Sequence, residues 1–565
     1  MNISFVYRGR SHVADKGGAQ VVSLAPNLKR DAVAFDAALK NPLAFREAIS
    51  ALHDVVINDL RFKPRDKAAY EAWKKQEAQR LAQVRAAAQR DARDELAQRV
   101  ARPIPRDLDQ QFNAARKRYW AVRQTYADHL RQHDMELWRM LMPCDPVITV
   151  APDVVFFECF SADESSYGCL SVERDECFSA ASGVQCGTTN VDYSWDLYHH
   201  FQTLRTYQPA RFNVDPSGFE VSVEGGENYR EEKIDLPSGW LRGFMQMQSA
   251  MTLPMRRVML SRESVYSLLA WMRRHKADRS PRALRFEIAE GRFPELVLEP
   301  WEQRIIDRTA PLCTQSMEPI RIWGTRRLLS LARLLPLIDR VEVCLLGTGL
   351  PSMWIAHIGP MKLTLGLSGW TTNDWTKGSA LDLLVPQQDP GSVLIQRVSA
   401  RLQERQAASL ISLCTDVGTE PPIVTAALKH LAHTGQVIFD LPHQVFRWRQ
   451  IMPQVLGEEQ LGPENAELVA SRLITRDISV KPFVEGPNHT KLYTGKVQTR
   501  EVELMLDRDG VMKRAKCDCS HHFKGGLRRG PCRHLIAFRH AILNPLDRNS
   551  PSLYERLWSG FAKQP

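Results

Sequence analysis

Apolar residues recur along the chain with two periods, and the places where the period changes divide it. Residues 3–7 and 19–24 are short apolar-rich runs that predict two short strands. A helix should follow. Asn41 suits the N-cap and Pro42 the first helical position, and Phe45, Ile49, Leu52, Val56 and Leu60 recur at spacings of four and three. Residues 66–101 are rich in Ala, Gln, Arg, Lys and Glu, all good helix formers. Arg102-Pro-Ile-Pro-Arg106 breaks that run. Residues 107–142 then carry a near-heptad stripe of Leu108, Phe112, Ala115, Tyr119, Val122 and Tyr126. The pattern predicts an antiparallel helical hairpin, either a docking arm or a solvated pair packed on its own chain.

Between residues 188 and 370 a β-α-β-β pattern can be traced three times. Its helices fall at residues 195–207, 262–274 and 325–335, and its strands alternate as Phe286 and Ile288 do against Arg285 and Glu287. This predicts one α+β domain with helices on one face of a twisted sheet. Gly347-Thr-Gly349-Leu-Pro-Ser352 reads as a hairpin turn, because a phosphate loop needs a third glycine and a following helix. Residues 371–394 are turn-rich. In residues 395–450 the expected order is a helix at 405–415, a helix at 421–433, then strands at 437–439 and 445–449, a winged helix. A helix over 464–473 and strands over 478–483 and 492–497 lead to a hairpin turning at Asp509-Gly510, and a helix at 535–543 ends the patterned region.

Composition narrows the class without choosing a function. The chain has 565 residues, 44% apolar and 25% charged, enough for several domains. A formal net charge of +10 suggests an anionic partner. Eleven cysteines are too sparse for a disulfide scaffold and suit a reducing cytoplasm. Arg8 and Arg10 interrupt the N-terminal apolar run too soon for a secretory leader. No apolar run reaches membrane-spanning length, since residues 328–346 include Arg333, Asp339, Arg340 and Glu342. A membrane partner is therefore not expected.

The most specific signal is Cys517-Asp518-Cys519, twelve residues, then Cys532-Arg533-His534. Residues i and i+2 of an extended segment share a face, so Cys517 and Cys519 can aim both sulfurs at one ion from a strand end. Cys532 and His534 cannot face one way inside a helix, so they belong at its entry, which Gly530-Pro531 marks. Three thiolates and an imidazole make a closed, tetrahedral, structural zinc site. His521 or His522 could stand in for His534. Cys159, Cys169, Cys177 and Cys186, with gaps of seven to nine residues between them, lack such spacing and read as ordinary thiols.

The C-x-C…C-x-H pattern over residues 502–543 resembles the SWIM zinc finger, a ββα unit. The resemblance places Cys517, Cys519, Cys532 and His534 on the four ligand positions. It implies a DNA- or protein-binding module. Gly187-Thr-Thr-Asn-Val-Asp-Tyr-Ser194 and Asp235-Leu-Pro-Ser-Gly-Trp-Leu-Arg242 are also similar to stand-alone bacterial SWIM proteins. That likeness implies protein partners, a MoxR-type AAA+ ATPase and a von Willebrand A-domain protein, and hence an adaptor role.

The expected architecture is α+β and multidomain, with a helical hairpin, a repeated β-α-β-β domain, a winged helix and a C-terminal ββα zinc finger. Its bounds are an N-terminal α+β segment at 1–62, the hairpin at 63–143, the repeat domain at 144–370, a linker at 371–394, the winged helix at 395–452, the zinc-finger domain at 455–545 and a tail at 546–565. No Walker A motif, H-E-x-x-H or nucleophile elbow occurs, so no catalytic residue is named and the protein is expected not to be an enzyme. Between Val511 and His540 the only acid is Asp518, against Lys513, Arg514, Lys516, Lys524, Arg528, Arg529, Arg533 and Arg539. Lys524, Arg528, Arg529 and Arg533 are the candidate nucleic-acid contacts there. Lys429, Arg447 and Arg449 are their counterparts on the winged helix.

Overall fold

The helix opened by Asn41 and Pro42 is present as α1, Pro42–Val56. The Asn41 side chain accepts the Ala44 amide at 3.1 Å, so a local hydrogen bond stops the helix from starting elsewhere. Phe45, Ile49, Leu52 and Val56 are buried. They press α1 onto the strand Ser166–Glu173 at Gly168, where a Cβ would sit 2.8 Å from Leu52 Cδ1. The computed structural model describes parts of residues 4–56, then 146–214, 230–276, 282–368, 390–451, 465–507 and 510–544 with short gaps, and isolated positions elsewhere. Leu60 lies outside the described residues.

Residues 60–142 form a unit of their own. Gln110, Gln111, Ala114, Ala115, Arg118, Ala121, Val122, Thr125 and His129 are helical. Asp107 opens this helix, its carbonyl accepting the Gln111 amide at 3.0 Å. Of the expected stripe, Ala115 and Val122 face water, Val122 with 65% exposure, and so do not form a buried seam. The other stripe positions, and the first arm of the hairpin apart from helical Asp94, lie outside the described residues.

In the remaining unit an eight-stranded antiparallel sheet carries the core. Its order is Arg256–Ser261, Arg340–Leu345, Ser352–Ile358, Met361–Leu367, Ser166–Glu173, Val154–Phe160, Val147–Val150 and Gly187–Asn190. Residues 346–351 make the expected turn, with the Leu350 amide on the Gly347 carbonyl at 3.2 Å. A five-stranded sheet places Ala210–Val214 between Ala19–Leu24, in parallel, and Ala34–Leu39, antiparallel. A four-stranded sheet holds Gln303–Ile306, Glu295–Leu298, Leu284–Glu287 and Ile320–Ile322.

This topology corrects the threefold repeat. The strands of each proposed unit are divided between sheets. Gly187–Asn190 and Ala210–Val214 part, Arg256–Ser261 separates from Leu284–Glu287, and Ile320–Ile322 separates from Arg340–Leu345. Helices α2, Ser238–Met251, and α3, Arg262–Arg274, are regular. The third expected helix is a 3-10 helix, Thr325–Leu334. Its buried residues Leu328, Leu331 and Leu334 recur every third position, the period that winding stacks on one side.

Downstream come α4, Ser392–Arg405, a two-residue strand Ala407–Ala408, α5, Leu410–Val417, α6, Pro421–His433, and strands Val437–Asp440 and Val445–Trp448. The helix expected at 405–415 is thus two helices. Gln406, at φ 63°, ends α4, and Ser409 caps α5 by accepting the Ser412 amide at 3.2 Å. These elements share a small core that includes Val398, Leu402, Leu413, Val424, Leu428 and Phe446.

Their last strand is bound to the large sheet by charge. Arg449 and Glu158 are 1% and 0% exposed and meet at 2.8 Å. The Tyr167 hydroxyl donates to the same carboxylate oxygen at 2.7 Å, and the Arg449 guanidinium lies 5.0 Å from the Phe244 ring. Arg447 reaches Asp440 at 2.6 Å and Asp153 at 2.6 and 2.9 Å. His443 Nδ1 pairs with Asp440 at 2.8 Å. Arg447 and Arg449, expected as exposed nucleic-acid contacts, are interior residues.

Breaking one partner of such a pair strands the other without solvent. Arg449→Met should lower stability by about 3–5 kcal/mol, and Arg449→Met with Glu158→Leu should recover most of it, as thermal melts would read. Equal melting of Arg449→Met and parent would refute this. Asp440 yields a pH test. Burial pushes its carboxyl up, but His443 and Arg447 outweigh burial and hold it below the usual range. A depressed folded value contributes stability above the unfolded value, lost as pH falls through the folded one. The advantage of the parent over Asp440→Asn should therefore stay constant from pH 7 to about 4 and shrink only below that.

Candidate metal centre

The C-terminal part builds its site at three chain junctions. Strands Arg500–Leu506 and Met512–Cys517 pair so that Val502 faces Cys517. The turn between them closes at Gly510, φ 71°, whose amide meets the Asp507 carbonyl at 3.1 Å. Asp507 also accepts the Val511 amide at 2.9 Å through its side chain. Val502, Leu504 and Leu506 point inward on alternate positions, as the pattern requires. Asn465 caps α7, Ala466–Arg472, by accepting the Glu467 amide at 2.9 Å. Helix α9, Arg533–Leu543, lays Phe538 against Gly495 of the strand Lys491–Val497, where a Cβ would be 2.7 Å from the ring.

Cys517 is the last residue of its strand. Cys519 caps the short helix α8, Ser520–Gly525, its sulfur accepting the His522 amide at 3.5 Å. Cys532 caps α9, with the Ile536 amide on its carbonyl at 3.1 Å. His534 is in the first turn of α9, and its Nδ1 lies 3.8 Å from Cys517 Sγ. The four ligand atoms lie within 4.8 Å of one another, with all three cysteines buried. Bonds of about 2.3 Å to sulfur and about 2.0 Å to nitrogen put tetrahedral ligand atoms roughly 3.5–3.8 Å apart, so small side-chain shifts would close the cage. The cluster can hold a metal ion, and its donors are compatible with zinc. His521 and His522 are not among the four. Among the described residues no other such cluster occurs, and Cys159, Cys169, Cys177 and Cys186 are not part of one.

The three thiols are electrostatically coupled. A hydrogen bond with Cys532 draws the Cys517 thiol down to about 6 against the pull of burial. Cys532 is pushed far up, first by that same bond and then by burial, and burial raises Cys519. One thiolate forms readily and makes the next two costly. A bound cation removes that conflict.

A residue that the spacing did not reveal orders the helix entry. Glu467 accepts the Arg533 amide at 2.7 Å and grips the Arg533 guanidinium at 2.6 and 3.1 Å. A carboxylate therefore sits at the N-terminus of α9, between two ligands, where the helix dipole favours it. The Arg533 hydrogen bond holds the Glu467 carboxyl below its ordinary range despite burial.

The basic run is less bare than its linear count implied. Lys513 pairs with Asp507 at 3.2 Å, Lys516 with Glu503 at 3.4 Å and Arg514 with Glu503 at 3.7 Å. Arg539 is buried, which pushes its pKa down to about 10. Arg533 is exposed but committed to Glu467, and Lys429 is half-buried on α6. Lys524 is exposed on α8. Arg528 and Arg529 close a 3-10 turn, Gly526–Arg529, and their side chains lie outside the described residues.

No protein-family model matches the chain, and no curated protein matches it in sequence. Solved structures with a partial likeness include proliferating cellular nuclear antigen from Entamoeba histolytica, at 10% identity and TM-score 0.32 over 60% of this chain and 98% of that one. A. fulgidus PCNA bound to the C-terminal region of FEN-1 aligns at 10% identity and TM-score 0.26, over 40% of this chain and 88% of that one. The PCNA2-PCNA3 complex from Sulfolobus tokodaii gives 9% identity and TM-score 0.27, over 40% and 90%. Superpositions this loose assign neither fold nor function. No helix among the described residues is long and apolar enough to cross a membrane.

Glu467→Ala retains all four ligands but frees the start of α9. It should surrender metal to a competing chelator about 10-fold more readily than the parent. Arg533→Ala keeps the backbone bond to Glu467 and should cost less. Identical chelator curves for Glu467→Ala and parent would show that the clamp does not support the cage.

Proposed function

We propose that Cys517, Cys519, Cys532 and His534 hold one structural zinc ion, and that the unit they staple is a binding module for nucleic acid. The observation that carries the reading is the approach of four ligand atoms within 4.8 Å from three separate chain junctions. Four protein ligands leave no open position, so the reading is of a non-catalytic site. It agrees with the resemblance to the SWIM finger. A net charge of +10, exposed Lys524, and Arg528 and Arg529 in the adjoining turn favour an anionic partner.

The element order from α4 to the strand Val445–Trp448 supports reading that part as a winged helix. Its wing arginines are spent inside the protein, and α6 is tied to α2 by a 3.2 Å contact between Ser249 and His433. In this reading it is the support that carries the zinc module, not a second reader of DNA.

A second reading, an adaptor for an AAA+ ATPase and a von Willebrand A-domain protein, draws on one separate feature. A groove of 740 Å³ between α3 and the 3-10 helix is lined by Arg262, Tyr266, Leu269, Arg273, Leu335 and Pro336 among others. Its apolar floor and a rim on which Arg262, Arg273 and Arg274 outnumber the one acid, Glu263, suit an acidic protein segment.

Elemental analysis should find one zinc per chain. Cys517→Ala or Cys532→Ala should abolish it and unfold the C-terminal unit, while Cys186→Ser should not. Zinc-loaded protein should bind oligonucleotides at low salt in fluorescence anisotropy, with affinity falling steeply as salt rises. No zinc, or no binding at low salt, would reject the respective half of the proposal. Co-purification of the two protein partners without nucleic acid would promote the adaptor.

A further inference from the structure

Phe523 is the most exposed large apolar side chain among the described residues, with 90% of its surface in water. Burying a phenylalanine is worth about 1.5–3 kcal/mol, and here its own chain does not collect that gain. Its backbone is nevertheless held. The Phe523 amide donates to the Cys519 carbonyl at 2.9 Å, one residue beyond the bond from His522 to the Cys519 sulfur. A ligand residue of the metal cage thus fixes the turn that presents the ring.

The surroundings indicate what the ring meets. His521 and His522 are half-buried beside it, Lys524 is exposed next to it, and Leu527 is packed against the core. An anchor for another protein normally sits among packing neighbours that exclude water. A lone aromatic beside a cation has the makings of a different contact. One face can stack on an unpaired base while the ammonium meets a neighbouring phosphate.

We propose that Phe523 is a stacking platform for an unpaired nucleobase, with Lys524 on the adjoining phosphate, so that the zinc module takes single-stranded nucleic acid in preference to duplex. This rests on the nucleic-acid reading above and adds the strand form and the contact residue.

The test is anisotropy of the full-length, zinc-loaded chain with labelled oligothymidylate and with a duplex. Phe523→Ala should weaken oligothymidylate binding roughly 5- to 150-fold, with duplex binding and zinc content unchanged. Phe523→Tyr should bind like the parent, whereas Phe523→Leu, apolar but without a π-face, should behave like Phe523→Ala. Lys524→Ala should reduce the log–log salt slope by about 0.7. If the parent binds oligothymidylate and Phe523→Ala binds equally well, or Phe523→Leu matches the parent, stacking is wrong while the nucleic-acid reading stands. If the parent binds neither oligonucleotide, both fall. If Phe523→Ala loses a protein partner and no oligonucleotide affinity, the ring is a protein anchor and the proposal is overturned.

Discussion

A carboxylate in the middle of a buried strand must be answered by a positive charge, and Glu158 sets that requirement for the larger unit. Arg449 answers it from just beyond a strand nearly three hundred residues later, with Tyr167 sharing the same oxygen. The guanidinium also lies against Phe244 of α2. Three pieces, the eight-stranded sheet, α2 and the end of the small α/β cluster, converge on one charge pair. Such a pair adds little net stability compared with apolar packing, but it tolerates few arrangements. Arg447, Asp440, Asp153 and His443 extend the same logic along the junction.

The metal cage follows a related rule with different chemistry. Its ligands stand where regular structure stops or starts: a strand end, the cap of α8, and the cap and first turn of α9. Backbone at such junctions has unpaired amides and carbonyls, and one ligand side chain, that of Cys519, also serves there as a cap. An ion held by these four residues would sit at the entry of both helices. Glu467 contributes from a third helix by fixing Arg533 between the last two ligands.

What could be read in the sequence was local. Asn41 and Pro42 act within one helical turn, and C-x-C with C-x-H encodes its geometry in two residues each. Contacts across long separations escaped. Alternation at residues 284–289 and 341–346 describes a strand equally well in either sheet, so the apparent repeat came apart once partners such as Leu284 and Ile322 were known. Arg447 and Arg449 look like wing residues because the carboxylates that bury them are 294 and 291 positions away. Counting charge from Val511 to His540 left out Glu503, Asp507 and Glu467, which flank the run in space. Leu328, Leu331, Leu334 and Leu335 fit the spacing of an α-helix as well as that of a 3-10 helix, so the sequence did not separate the two.

The strand Ala19–Leu24 lies beside Ala210–Val214, which is made almost two hundred residues later. At roughly 5–20 residues per second, a ribosome leaves that edge without its neighbour for about 10–40 s. During that interval Val21, Val22 and Leu24 belong to a nascent chain with an open strand edge, the kind of surface that recruits the wrong partner. Biogenesis is thus exposed at the strand Ala19–Leu24, and a chaperone that holds this strand during translation would act on yield without touching the finished molecule.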